Sequence, residues 1–428
     1  MPKYYLLKKT LSQKRKCISA DHGKKKKSNP SKYLKIDFLN NFLHWLEDTH
    51  LVKELELVRV TEHRLFSRKQ IEAGEKIVKI PRTCILSCQK AFESELGQKF
   101  YLYCKEADFP ISGEEIFWIW LYEGKIDSSH PFHKYLITLP DPAPDPLNWP
   151  TELQDKLKDT ILMPTLSKVI DDTYKLSEAF FNFCASNNKE YYLTKFSNMM
   201  ELHKGILWAR GVHRSRRLPG ILCGEQHEVN FRETTQCDTT GFGILVPLLD
   251  KTNHDPNAKI SWHFDDNFIW YQADERIEPN SEIFMSYGPK SNENLLMDFG
   301  FAIKDNPFDV VNIIFCAKNE ISTQRHGPFQ LRRSGDSRWE AIPSDIWSSL
   351  MKFQNSKPNE RIPTKNVVKV LKDQLIHRLN LLKNTLSEDE VLLNDNNKPT
   401  IQHYVAYYRD GQRQILKGCL SEIKNLLC

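Results

Sequence analysis

The sequence predicts an α+β chain in which two groups of short strands flank a helical stretch and a helical C-terminal part follows. Strand patterns bounded by turn residues occupy Leu57–Leu86 and return between about residues 242 and 286. Between them, from about residue 87 to 204, apolar residues recur at helical spacing. Beyond Val311 come long amphipathic runs. At 428 residues the chain exceeds one ordinary core. The expected division is a basic tail over 1–30, a body over 31–310 with a helical insert at about 87–204, and an all-α part over 311–428.

The elements follow in order. Residues 1–32 hold eleven Lys/Arg and one acid, Asp21, so the tail carries +10 and the remainder, 49 bases against 54 acids, carries −5. Such a tail is expected to be disordered, and two readings stay open: a solvated solubility tail, or nuclear import and salt-sensitive, non-specific nucleic-acid binding. Ser31 can cap a helix whose apolar positions run from Leu34 to Leu46. Ile71-Glu-Ala-Gly74-Glu-Lys-Ile77-Val-Lys-Ile80-Pro81 reads as a turn entering a strand. Helices are expected near Glu114–Glu123 and Leu176–Phe183, separated by the proline-rich loop Leu139–Pro146. Strands are expected at Phe242–Val246, Lys259–His263, Phe268–Tyr271 and Glu282–Ser286, then a polar loop at Arg325–Gly335. Val367, Val368, Leu371, Leu375, Leu379 and Leu382 line one later helix; Tyr404, Tyr408, Ile415, Leu420, Ile423 and Leu427 line another.

Ten cysteines lie singly with no CxxC pair, which predicts reduced thiols and no structural metal site. No apolar run reaches the roughly 18–20 residues of a membrane span, and no secretory leader is apparent. Nucleophile elbows, phosphate loops and HExxH motifs are absent. The chain is expected to be a monomer of the cytoplasm, the nucleus or both.

Several motifs stand in one order. They are Ile71–Pro81, Ser129-His-Pro-Phe-His-Lys-Tyr135-Leu-Ile-Thr-Leu139-Pro140, Leu207-Trp-Ala-Arg210, Leu245-Val-Pro-Leu-Leu-Asp250-Lys-Thr-Asn253-His254, and Phe284-Met-Ser-Tyr287-Gly288 followed by Asn292 and Gly300-Phe301. Together they resemble the SET domain, and within it the Rubisco large-subunit methyltransferase-like branch. The resemblance implies short β-sheets with a pseudoknot, split by a helical insert and followed by a helical substrate-binding domain. It implies an S-adenosyl-L-methionine-dependent protein-lysine N-methyltransferase acting on a non-histone protein such as a ribosomal protein or translation factor. Tyr287 would be catalytic. Arg210, Asp250, Asn253, His254, Tyr287, Phe301 and Leu65 would hold the cofactor, and Val212 and Phe299 the target side chain.

That chemistry suits these residues. Lysine, with a pKa near 10.4, is neutral at pH 7 in only about one molecule in a few thousand. An apolar channel beside a sulfonium disfavours the ammonium form, and alignment supplies much of the rest. Relatives usually carry a Gly-x-Gly-Leu segment before the first strand, whereas this chain reads Glu62-His63-Arg64-Leu65-Phe66. Val212 stands where an aromatic or an asparagine is common, and Phe299 where a tyrosine is. Two alternatives stay open: a protein-histidine methyltransferase, and a catalytically weak SET-derived binding module.

Overall fold

The computed structural model describes residues 40–46, 55–61, 63–186, 195–196, 198–223, 243–318, 323–335, 340–353 and 365–427. The basic tail, the Ser31 cap, Glu62 and Phe242 lie outside them.

Antiparallel β1 (Val58–Val60) and β2 (Leu65–Ser67) form the first hairpin. A three-stranded sheet follows, in the order β3 (Lys76–Pro81), β6 (Phe268–Ala273), β5 (Ile260–Phe264). Its centre joins chain segments about 190 residues apart, with Lys79 opposite Trp270 and Ile80 opposite Ile269. Ile77, Val78, Ile80, Ile269 and Tyr271 are fully buried, and this apolar gain holds the two strand groups together. The expected strand near 242–246 is reduced to two single bridges, Leu245 to Leu86 and Ile244 to Leu218.

Between the strand groups lie the insert helices. Gly113–Ile126 begins with a reciprocal cap: Ser112 Oγ accepts from the Glu115 amide, and Glu115 accepts from the Ser112 amide at 2.7 Å. Leu162–Ser186 contains the expected 176–183 helix, and Met199–Arg216 returns to the second strand group. The proline-rich loop is bound to this last helix, because the Trp208 indole donates to Pro140 O at 2.8 Å and Asn148 Nδ2 to Leu207 O at 3.2 Å.

The C-terminal part is mainly helical and has its own apolar core, built on Val367, Leu371, Leu375, Ile415 and Ile423. It is not all-α. β8 (Val311–Lys318) and β9 (Thr323–Leu331) form an antiparallel hairpin where a polar loop was expected. Phe329 and Leu331 are buried on either side of exposed Gln330, so a period-two pattern lay hidden among polar neighbours.

Helices Leu386–Leu393 and Ile401–Leu427 are locked by Asp389, which lies fully buried between Arg409 and Arg413. Removing the carboxylate strands two guanidinium groups in the interior. Asp389→Ala should therefore lower unfolding free energy by about 3–5 kcal/mol in urea titration. A loss below about 1 kcal/mol, the range of exposed pairs, would contradict this account.

Candidate active site

Two very short strands build the site. β4 (Asn253–His254) pairs in parallel with β7 (Phe284–Met285), Asn253 opposite Phe284 and His254 opposite Met285. Tyr287 leaves β7 two residues later. Its amide donates to His254 Nδ1 at 3.0 Å, and the two rings stack at 5.0 Å. Phe299 covers Tyr287 at 4.5 Å, and Phe301 stands edge-on at 6.5 Å. The Tyr287 hydroxyl donates to Thr252 O at 2.8 Å. Burial pushes this phenol up to about 12, so at neutral pH it is a hydrogen-bonding group and not a base.

The two aromatics are placed by the helix Asn292–Phe299 and its end. Ser291 caps its start, and Gly300 ends it at φ +74°. A side chain at Gly300 would collide with the Pro144 carbonyl, so glycine is required on both counts. Asn292 ties down the following turn, donating to Ile303 O at 3.0 Å and accepting from Ile303 N at 2.8 Å.

Tyr287 and Phe299 share a cavity of about 640 Å³ with Arg214, Arg216, Leu218 and Asp250. Such a volume suits one small-molecule ligand and the end of a side chain. Arg214 is committed, making a two-toothed pair with Asp298 at 3.0 and 3.1 Å. Arg216 is not fully committed. Its NH1 donates to Asp250 O at 3.0 Å and Oδ2 at 3.3 Å, and Oδ2 also accepts from the Tyr135 hydroxyl at 2.9 Å. Arg216 Nε and Asp250 Oδ1 are buried with no hydrogen-bond partner. Both residues line the cavity, and each keeps one buried polar atom without a partner.

Three expected site residues lie elsewhere. Arg210 is in the middle of helix Met199–Arg216 and not at its end, buried 3.7 Å from Asp145 and absent from the cavity wall. Burial pushes the Asp145 carboxyl up to about 6, and this pair ties the helix to the proline-rich loop. Val212 is fully buried in the core. Leu65 is fully buried too, and its carbonyl accepts from the Ile283 amide at 2.8 Å. The positions that do face Tyr287 are six residues on, Arg216 and Leu218, and the arginine at the true helix end was the available signal. Asn253 donates to Glu282 at 2.6 Å, and Glu282 pairs with Arg64 at 2.9 Å. Arg64 of the glycine-free stretch is thereby fastened beside β4.

A family model described as the SET domain matches residues 63–288, more than half of the chain. The chain belongs to the SET-domain family. Over 79 residues it is 39% identical to "Ribosomal lysine N-methyltransferase set10" of Schizosaccharomyces pombe, covering 18% of this chain and 14% of that protein. Over 305 residues it is 22% identical to "SET domain-containing protein 4" of Mus musculus, covering 68% of this chain and 65% of that protein. It therefore spans less than two thirds of the length of either relative. The structure of Rubisco LSMT bound to AdoMet superposes with a TM-score of 0.70 at 14% identity, over 91% of this chain and 92% of that one. The SET fold with its helical insert and mainly helical C-terminal part is thus shared along nearly the whole length.

The helix that carries this SET domain's arginines also holds His213, fully buried. It accepts from the Trp118 indole at 3.1 Å and donates to Gly243 O at 2.9 Å, and burial lowers its pKa to about 3. A folded-state pKa below the unfolded value means that the unfolded chain takes up the proton first. The stabilisation is complete above about pH 6.5 and drains away as pH falls, by about 2 kcal/mol at pH 5. Urea titrations at pH 7.5 and 5 should show wild type losing about 2 kcal/mol more than His213→Gln. Equal losses would contradict the neutral, buried imidazole.

Proposed function

We propose that this SET-domain protein is an S-adenosyl-L-methionine-dependent protein-lysine N-methyltransferase. The observation that carries the reading is the juxtaposition of the Tyr287 hydroxyl with the half-open Arg216–Asp250 pair in one cavity. A zwitterionic amino-acid group needs one donor site for its carboxylate and one acceptor for its ammonium. Arg216 Nε and Asp250 Oδ1 offer that combination, buried and unpartnered. The residues fit the methionine end of the cofactor, which when bound supplies an electrophilic methyl group.

The chain's own residues do the remainder. Tyr287 is held from three sides, by Thr252, His254 and Phe299, so its hydroxyl has a fixed position near the reacting centre. Phe299, Met285 and Leu218 supply apolar walls that favour a neutral target amine. Orientation of amine against methyl then accounts for most of the acceleration, as expected for an in-line displacement. The fungal relative named as a ribosomal lysine N-methyltransferase supports a substrate in the translation apparatus, a ribosomal protein or a translation factor.

Incubating the full chain with tritiated S-adenosylmethionine and isolated ribosomal and translation-factor fractions should label a protein on lysine. Tyr287→Phe should keep cofactor affinity and lose about a hundred-fold in turnover, the usual cost of one positioned donor. Label on histidine would overturn the acceptor, and unchanged turnover would overturn the role of Tyr287.

A further inference from the structure

Tyr135 lies 115 residues before Asp250, on the short insert helix His133–Leu136, and is fully buried. Its ring packs 5.7 Å from Phe42, and its hydroxyl meets Asp250 Oδ2 at 2.9 Å. A tyrosine in the interior needs some partner for its hydroxyl, but this partner belongs to a residue of the cavity lining, and it also holds Arg216 there. Burial pushes the Tyr135 phenol up, so it stays protonated and can only donate to the carboxylate.

The geometry at Asp250 gives that bond a consequence. Oδ2 is shared between the Tyr135 hydroxyl at 2.9 Å and Arg216 NH1 at 3.3 Å, while Oδ1 and Arg216 Nε have no partner. An arginine and a carboxylate this close ordinarily collapse into a two-toothed pair that uses both oxygens. Here the insert residue and the arginine share Oδ2, and Oδ1 stays unpaired. We propose that Tyr135 is a positioning residue that holds Asp250 and Arg216 in this half-open arrangement, keeping one donor and one acceptor for the amino-acid end of the methyl donor. This rests on the function proposed above and assigns the insert a part in cofactor recognition. Tyr135 touches neither cofactor nor substrate; it acts through Asp250.

The test uses two ligands that differ only in the part concerned. S-adenosylhomocysteine carries the amino-acid end; 5′-methylthioadenosine keeps the nucleoside and thioether and lacks it. Calorimetric titration of the full-length Tyr135→Phe chain should show S-adenosylhomocysteine weakened about ten-fold, the scale of one hydrogen bond to a charged group. Binding of 5′-methylthioadenosine should stay within about two-fold of wild type, since no bond to that part is removed. Phe42→Leu loosens the same packing but keeps the hydroxyl. It should lower Tm and leave the ratio of the two affinities unchanged, and this second variant still tests the idea if Tyr135→Phe does not fold. Equal weakening of both ligands by Tyr135→Phe, no weakening of either, or a shifted ratio in Phe42→Leu would overturn the proposal. Wild-type protein that binds neither ligand would instead remove the proposed function and this inference with it.

Discussion

The parallel contact between β4 and β7 is the constraint on which the rest of the fold converges. Two residue pairs are all it contains, far too little to persist alone in water. It persists because each neighbour is fixed independently. On one side Tyr271 of the central sheet donates to Leu249 O at 3.0 Å and approaches Met285 Sδ at 3.0 Å. On the other, Phe299 and Phe301 cover His254 and Tyr287, and Phe301 in turn meets Tyr404 of the C-terminal helix at 6.3 Å. The central sheet, the end of helix Asn292–Phe299 and the C-terminal part therefore all bear on this contact.

Charge in the interior is arranged by the same logic. Asp389 with its two arginines, Arg214 with Asp298 and Arg210 with Asp145 each join separate elements of the chain. Arg214 and Asp298 line the cavity that holds Tyr287 and satisfy one another, whereas Arg216 and Asp250 line it and each keep a buried atom without a partner. A buried donor and acceptor without partners cost free energy. Under the function proposed above, a ligand that satisfies both would recover that cost.

What could be read in the sequence was what is local. Asp250, Asn253, His254, Tyr287, Phe299 and Phe301 sit within short motifs at strand and helix ends; Asp250, Tyr287 and Phe299 line the cavity, His254 and Phe301 meet the Tyr287 ring, and Asn253 adjoins His254 on β4. Which arginine lines the cavity was not legible because the helix holds three, at 210, 214 and 216, and Arg217 follows its end. At about 100° per residue, positions 210 and 216 point about 120° apart, and only the packing of the insert decides which faces the cavity. Val212 was placed relative to Arg210, and it lies in the core. The Tyr135–Asp250 bond was illegible for another reason, since no spacing rule links residues 115 apart. The β8–β9 hairpin escaped because its alternation is weak where Arg325, His326, Gly327 and Pro328 interrupt it.

The most direct measurement of the central claim is equilibrium titration of the full chain with S-adenosylmethionine, in parallel with Arg216→Ala and Arg210→Lys. The account predicts saturable binding by wild type, binding by Arg210→Lys close to wild type, and binding by Arg216→Ala weakened at least about ten-fold. No saturation by wild type at millimolar ligand, or an Arg216→Ala chain that binds as well as wild type, would contradict it.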